Sequence, residues 1–297
     1  MGYLHVNNLY KDQTILMLKE CYAMEKIHGT SANIGFVPSE DKKSVDVKFF
    51  SGGEKYELFC SLFDVETLKE KFYSHFGREN IKAVCVYGEA YGGKQQGMKD
   101  TYGDKNKFIS FEVKIEDKWL SVPRAEIVAL NLGLEFVHYK KISTNLEDID
   151  RERDADSIQA IRNGMGPGKK REGVVLRPLE ELTLNNGARI ISKHKRDDFR
   201  ETRTPRPVDK ERLVILQKAE EIANEWVTDM RLQHILQKFP EDVGLDKTGE
   251  IIRAMVEDVL REAAGEIVES QDTTKAISRK TALMFKELVK SRLRNAI

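Results

Sequence analysis

Residues 23–30 read AMEKIHGT, a short apolar run that carries a lysine, then a histidine and a glycine. Two readings compete for Lys26: a surface lysine ahead of a turn, or a nucleophile set into an apolar flank. The octet alone does not choose between them. A second Lys-x-x-Gly occurs at Lys94–Gly97, and with glycine at about 7% of residues a lysine-rich chain contains such patterns by accident. Lys193-His194-Lys195 is likewise one of several Lys-x-Lys triplets, beside Lys69–Lys71 and Lys105–Lys107. What carries information is the order in which the segments follow one another.

Working outward, short β-branched or aromatic runs bounded by Gly, Asp or Asn predict strands over Val45–Phe49, Ala83–Tyr87, Phe108–Ile115, Gly173–Arg177 and Ala188–Lys193. Helical spacing of apolar residues predicts helices over Ser61–Phe76 and Arg124–Leu132, the second entered through Pro123. Widely separated strands among helices indicate an α+β domain. The texture changes after Lys195, where RDDFRETRTPRPVDK is charged, holds Pro205 and Pro207 and lacks periodic apolar residues. Beyond it Leu213, Leu216, Ile222 and Trp226, then Ile251, Ile252, Met255, Val259 and Ile267, then Ala282, Leu283, Phe285, Leu288 and Leu293 recur at helical spacing. The expected division is 1–203 for the α+β domain and 204–297 for a small all-helical one.

With 297 residues, 40% hydrophobic and 33% charged, the chain has the composition of a charged globular protein with a core, not of a disordered or membrane protein. The first residues, MGYLHVNNLYKDQ, hold no signal-type apolar run, and Val6 stands where a myristoylation signal needs Ser or Thr. A cytoplasmic, membrane-free monomer is the expectation. Cys21, Cys60 and Cys85 are odd in number and without CxxC spacing, which points to reduced thiols and not to disulfides or zinc. A formal net charge of zero argues against a wholly basic nucleic-acid-binding surface. Two local basic runs remain, Lys193 to Arg206 and Lys286 to Arg294, each of which could also be a solvated face.

Gly88–Gln95 nearly matches the phosphate loop GxxxxGK[ST] but ends in Gln95, which lacks the hydroxyl that holds magnesium. The residues after Lys94 also read as loop where that motif needs a helix.

EKIHGT, VYGEAYGG, KFISFEVKI, REGVVLRP and ISKHK follow in this order between Glu25 and Lys195. In that order they resemble motifs I, III, IIIa, IV and V of the covalent nucleotidyltransferase superfamily of ATP-dependent ligases and GTP-dependent capping enzymes. Within it, Lys-x-His-Gly-Thr with Gly-Glu-x-Tyr-Gly-Gly resembles the RNA ligase 2 group, whereas DNA ligases usually show Lys-x-Asp-Gly. The helical tail is similar to that group too, since DNA ligases and capping enzymes continue into an oligonucleotide-binding barrel. The resemblance implies an ATP-grasp-like nucleotidyltransferase domain of antiparallel sheets with helices.

The activity it implies is ATP-dependent sealing of 3′-hydroxyl and 5′-phosphate RNA ends, through lysyl-AMP on Lys26 and an adenylylated RNA 5′ end. ATP and Mg²⁺, with Mn²⁺ as a substitute, are the implied cofactors, and RNA ends or a nicked duplex the partner. Lys193 and Lys195 join Lys26 as catalytic residues by the same resemblance. On a strand both lysines face one way and His194 the other, a geometry suited to gripping one phosphate. An ordinary lysine is neutral in only about one molecule in a few thousand at pH 7, so Lys26 needs desolvation or neighbouring cations. Ala23, Met24 and Ile27 offer the first, Lys193 and Lys195 the second.

By the resemblance Glu25, Lys26, Ile27 and Gly29 line the nucleotide, and a Cβ at Gly29 would obstruct close approach. Glu172 is implied as a metal ligand, against a plain salt bridge with Lys170 or Arg171. Glu89 is implied at the ribose or a second metal, against a structural hydrogen bond. Phe111 is implied as the ring on adenine, against a core aromatic alternating with Ile109 and Val113. His28, Thr30 and Asn33 are implied at the RNA. Two departures stand out: Ser31 replaces the Asn usual after the motif I threonine, and only Lys48 and Ser51 lie where the group has an arginine. A DNA ligase and a non-catalytic nucleic-acid-binding protein are the competing readings.

Overall fold

The computed structural model describes residues 2–39, 41, 43–77, 80–184, 187–199, 207–240 and 242–295. The chain forms two compact units, residues 1–182 with 190–207, and 183–189 with 208–297. The expected boundary at 203/204, and Arg200, Arg203, Pro205 and Arg206 of the basic run, lie outside the described residues.

The first unit is α+β, with two antiparallel sheets. In chain order it runs β1 (Glu20–Lys26), β2 (Thr30–Pro38), β3 (Val45–Ser51), α1 (Tyr56–Cys60), α2 (Val65–Phe76) and β4 (Val84–Gly92). It continues with α3 (Lys99–Tyr102), β5 (Asn106–Ile115), β6 (Lys118–Trp119), α4 (Val122–Asn131), β7 (Tyr139–Ser143), α5 (Leu146–Arg153), α6 (Ile158–Arg162), β8 (Gly173–Pro178) and β9 (Ser192–Lys195). One sheet has the order β7-β1-β8-β9 and the other β3-β2-β4-β5-β6. Met24 and Ile27 join Ile34, Phe36, Val86, Ile109 and Val113 in one hydrophobic core, so the chain passes from one sheet to the other through buried residues at the Lys26 turn.

Several elements differ from expectation for identifiable reasons. Lys26 ends β1, a strand absent from the predicted set, because ECYAMEK is buried at Cys21, Ala23, Met24 and Glu25 and so lacks the alternation of a half-exposed strand. The predicted strand Ala188–Lys193 is displaced to Ser192–Lys195, and Arg189 pairs with Thr183 in an isolated bridge outside the sheets. The helix at 61–76 begins at Val65, where Asp64 accepts hydrogen bonds from the Glu66 and Thr67 amides. No helix follows Lys94 directly: Gly88 to Gly92 lie in β4 and Gln95–Gly97 form one 3₁₀ turn.

The second unit contains α7 (Lys210–Trp226), α8 (Asp229–Leu236), α9 (Thr248–Glu262) and α10 (Gln271–Asn295). Ile251, Ile252, Met255 and Val259 of α9 are buried, as are Leu216, Ala219 and Ala223 of α7 and Phe285 of α10. Ile267 falls after α9, outside any helix, and the side chains of Leu293 and Arg294 lie outside the described residues. Arg212 grips Asp272 with two bonds of 2.5 and 2.6 Å, tying the starts of α7 and α10 together. Among the described residues no helix is long and apolar enough to cross a membrane. The three cysteines are free, Cys21 buried and Cys60 and Cys85 partly so.

Candidate active site

The end of β1, the turn before β2, the start of β8 and the end of β9 converge on one carboxylate. Glu172, its side chain 2% exposed, accepts a 2.8 Å bond from Lys26 Nζ and lies 2.9 Å from Lys195 Nζ and 3.2 Å from His28 Nδ1. Burial alone would raise its carboxyl. The His28 hydrogen bond and the charges of Lys26 and Lys195 outweigh burial and hold it far below the usual carboxylate range. Lys170 and Arg171, the partners a local salt bridge would use, are engaged elsewhere, Lys170 with Asp198 at 2.7 Å and Arg171 with Glu152 at 3.0 Å.

Glu89 stands beside this group from β4. Burial pushes its carboxyl up to about 7, against the pull of Lys26, with Glu172 pushing the same way and a hydrogen bond from the Gly29 amide opposing. Gly29 is required by that contact: a Cβ would sit 2.3 Å from the Ala90 carbonyl oxygen and 2.9 Å from Glu89 Cγ. Its missing side chain therefore makes room for β4, where the sequence reading had it making room for a nucleotide.

Next to Lys26 opens a cavity of about 370 Å³ whose walls include Met24, Ile27, Glu89, Phe111, Val175 and Lys193. Lys193 thus serves the cavity while Lys195, two residues on, serves Glu172, and His194 points the other way to Asp150 at 2.8 Å. Phe111 packs against the core and also faces the cavity, its ring edge-on to Tyr3 at 4.9 Å. Glu25 contributes to the wall, but its carboxylate is turned into the protein, accepting from Ser157 Oγ at 2.5 Å and from the Ile158 and Gln159 amides at 3.1 and 3.2 Å. Burial raises this carboxyl, with the Ser157 hydrogen bond and the Arg171 charge opposing. Its side chain fastens α6 to β1 and leaves only the remainder of the residue for the cavity.

Thr30 and Asn33 do not line the cavity; Ser31 does, with its Oγ buried and without a hydrogen-bond partner. Thr30 Oγ1 lies against the Gly52–Gly53 turn, and Asn33 is buried in mid-strand opposite Phe50 and Tyr87. His28, beyond its contact with Glu172, sets its ring against Phe199 at 5.2 Å. Neither Lys48 nor Ser51 lines the cavity.

The sequence reading missed the wall supplied by residues 3–6. Asn7 to Leu9 pair with Lys193, whose N–H donates to Asn7 O at 2.9 Å and whose carbonyl accepts from Leu9 N at 2.8 Å. This pairing carries Tyr3 to the cavity, where its hydroxyl donates to Glu112. Glu112 forms a buried ion pair with Arg177 at 2.9 Å, both side chains 1% exposed. The signal was available: an arginine in VVLRP and a glutamate in SFEVK interrupt otherwise apolar strands, and buried charges occur in pairs.

The sequence matches the RNA ligase family over residues 19–195, which is more than half of the chain and holds every motif from Lys26 to Lys195. The chain belongs to the RNA ligase family. No curated protein is a significant match. Among solved structures this RNA ligase family member is similar to Naegleria gruberi RNA ligase with PPi, at 15% identity and a TM-score of 0.46, over 67% of this chain and 57% of that one. A mutant of the same ligase with ATP and Mn gives 15% identity and a TM-score of 0.47 over the same shares. The chain thus spans a little over half the length of those ligases, and the assignment rests on the family match.

Proposed function

We propose that the protein is an ATP-dependent RNA ligase of the RNA ligase 2 type, sealing 3′-hydroxyl and 5′-phosphate ends through lysyl-AMP. The supporting observation is the meeting of Lys26, His28, Lys195 and Glu172 around one buried carboxylate at the rim of a cavity of nucleotide size, in a chain of this family.

Lys26 is the nucleophile. Its ammonium rests on Glu172 and gives up one proton to solvent before attack, because only the neutral amine has a lone pair, and a second as the nitrogen becomes bonded to phosphorus. The Nζ–phosphorus bond forms at the α-phosphate as the bond to the pyrophosphate oxygen breaks, and pyrophosphate carries the charge away. Lys193 and Lys195 stabilise charge on the phosphoryl oxygens. An oxygen of the RNA 5′-phosphate then takes AMP from Lys26, restoring the amine. The 3′-hydroxyl finally attacks that 5′ phosphorus, AMP leaves, and the hydroxyl proton passes to solvent.

Phe111 forms the adenine wall and Ile27 the apolar floor. His28 serves the RNA step, and Thr30 and Asn33, away from the cavity on an interior strand, act on RNA only indirectly, through the turn that β2 holds in place. Among the described residues no three acidic, His or Cys side chains gather into a complete metal site. Glu172 and Glu89 nevertheless fit a magnesium or manganese ion of the kind bound by one or two carboxylates and completed by substrate phosphates. Such an ion would neutralise phosphate charge there.

The test is sealing of matched nicked duplexes that differ only in the 2′-hydroxyls beside the break, the group that distinguishes RNA from DNA. ATP-dependent joining of the RNA nick is expected. Preference for the all-DNA nick would replace the proposal by a DNA ligase, and binding of both without joining or AMP transfer by a non-catalytic binder.

A further inference from the structure

Glu172 and Lys195 are flanked by residues that face away from the cavity, and one segment holds all of them. Arg171, 1% exposed, donates from Nε and NH2 to the Asp156 carbonyl at 3.1 and 2.7 Å, and from NH1 to Glu152 Oε1 at 3.0 Å. His194 Nε2 lies 2.8 Å from Asp150 Oδ1 and 2.8 Å from Arg153 NH1. Arg196 NH1 donates to the Asp154 carbonyl at 2.7 Å, while its backbone N–H donates to Glu172 O at 2.9 Å. Asp150, Glu152, Arg153, Asp154 and Asp156 belong to the last turns of α5 and the residues that follow it. The same stretch is tied to the approach to β8, since Ser157 N donates to Lys169 O at 2.7 Å and Gly168 N to Asp156 Oδ2 at 2.7 Å.

Side chains on a strand alternate, so gripping one face fixes where the other points. Residues 171, 194 and 196 are gripped on the back; residues 172 and 195 are thereby aimed at each other on the front. β8 and β9 are hydrogen-bonded neighbours that pair Gly173 with Lys195, with no room for a side chain at Gly173: a Cβ there, at a φ of +151°, would lie 2.1 Å from the His194 carbonyl oxygen. With little slack between the strands, a lateral shift of β9 moves Lys195 directly.

We infer that the segment Asp150–Asp156 is a positioning clamp for the phosphate-gripping group, in which Asp150, through His194, sets the aim of Lys193 and Lys195, and Glu152 and Asp156, through Arg171, set that of Glu172. As a statement about catalysis the inference rests on the function proposed above. None of the clamp residues lines the cavity, so they are positioning residues. Misplacing reacting groups by about 1 Å costs on the order of 100-fold in rate, and the clamp acts on rate more than on nucleotide affinity, since of the groups it aims only Lys193 lines the cavity.

The experiment compares the full-length parent with Asp150→Ala, Asp150→Asn, His194→Ala, His194→Gln and the exposed control Glu147→Ala. Single-turnover self-adenylylation with α-labelled ATP is measured across ATP concentrations, together with thermal midpoints and a crystal structure of Asp150→Ala. Asp150→Ala and His194→Ala are expected to lower the rate at saturating ATP by about 10- to 100-fold, with half-saturating ATP within threefold of the parent. His194→Gln, which still offers Asp150 a donor, should recover a substantial part of the rate, and Glu147→Ala should match the parent. Should the alanine variants fold poorly, the near-isosteric Asp150→Asn decides by the same rate measurement. In the Asp150→Ala crystal, Lys195 Nζ should lie more than about 4 Å from Glu172, beyond ion-pair range. Parental rates in the Asp150 and His194 variants, or an unmoved Lys195–Glu172 contact, overturn the clamp. A parent that never takes up AMP would refute the functional reading instead, and the crystal comparison would still decide the clamp.

Discussion

Replacing Glu89 by glutamine interrogates the buried end of the site through stability alone, independently of any substrate. In the folded chain burial pushes this carboxyl up to about 7, whereas its ordinary value is 4.5. Between those values the unfolded chain has released a proton that the folded chain still holds. Raising the pH through this window therefore favours the unfolded state, and the stability present below pH 4.5 is lost progressively up to about pH 7. At about 1.4 kcal/mol per pKa unit, the gap amounts to about 3 kcal/mol. Glu89→Gln cannot ionise and escapes this loss. Relative to the parent, the variant should be about 3 kcal/mol more stable at pH 8 than the same comparison gives at pH 4. Urea denaturation at both pH values measures it, followed by Trp119 fluorescence in a Trp226→Phe background so that the signal comes from the first unit. A parent–variant difference that stays constant within about 1 kcal/mol between pH 4 and pH 8 would refute the reasoning, because the carboxyl would then titrate alike in both states.

Two further outcomes follow from the buried charges and the helical unit. Arg177→Met strands Glu112 without its cation and should cost about 3–5 kcal/mol in urea denaturation, while adding Glu112→Leu should restore most of the loss; equal losses in single and double variants would mean that packing, not charge, is at stake. A chain ending at residue 203 keeps Lys26 to Lys195 and should still take up AMP but lose salt-sensitive binding to nicked duplex RNA, since positive charge in the helical unit is concentrated on α10, in Lys275, Lys280, Lys286, Lys290 and Arg292, and α7 to α9 carry more acid than base. Undiminished binding by the shortened chain, measured by gel shift across salt concentrations, would remove the helical unit from RNA recognition.

What the sequence made legible was the family and the strands that alternate or are bounded by turn residues. Val45, Ala83, Phe108 and Gly173 each fall within two residues of an observed strand start, and the face rule for Lys193-His194-Lys195 describes the side-chain directions in β9. The strand that bears Lys26 was hidden because Ala23, Met24 and Glu25 are all buried and leave no period to read. The resemblance implied Glu25 and Gly29 at the nucleotide; what the sequence could not show is that the Glu25 carboxylate faces α6 and that Gly29 packs on β4. Those distinctions depend on Ser157 and Ala90, far along the chain. Residues 3–6 carry no pattern at all; only pairing of Asn7 and Leu9 with Lys193 brings Tyr3 to the cavity.

The central claim is that Lys26, held on Glu172, is the nucleophile toward ATP. The full-length protein is incubated with α-labelled ATP and Mg²⁺, acid-precipitated, and the labelled residue mapped by peptide mass spectrometry. Acid-stable AMP on Lys26 is expected, with none in Lys26→Ala and parental labelling in Lys94→Ala, whose lysine occupies the other Lys-x-x-Gly. Label that persists in Lys26→Ala, or that maps to Lys94, contradicts the account.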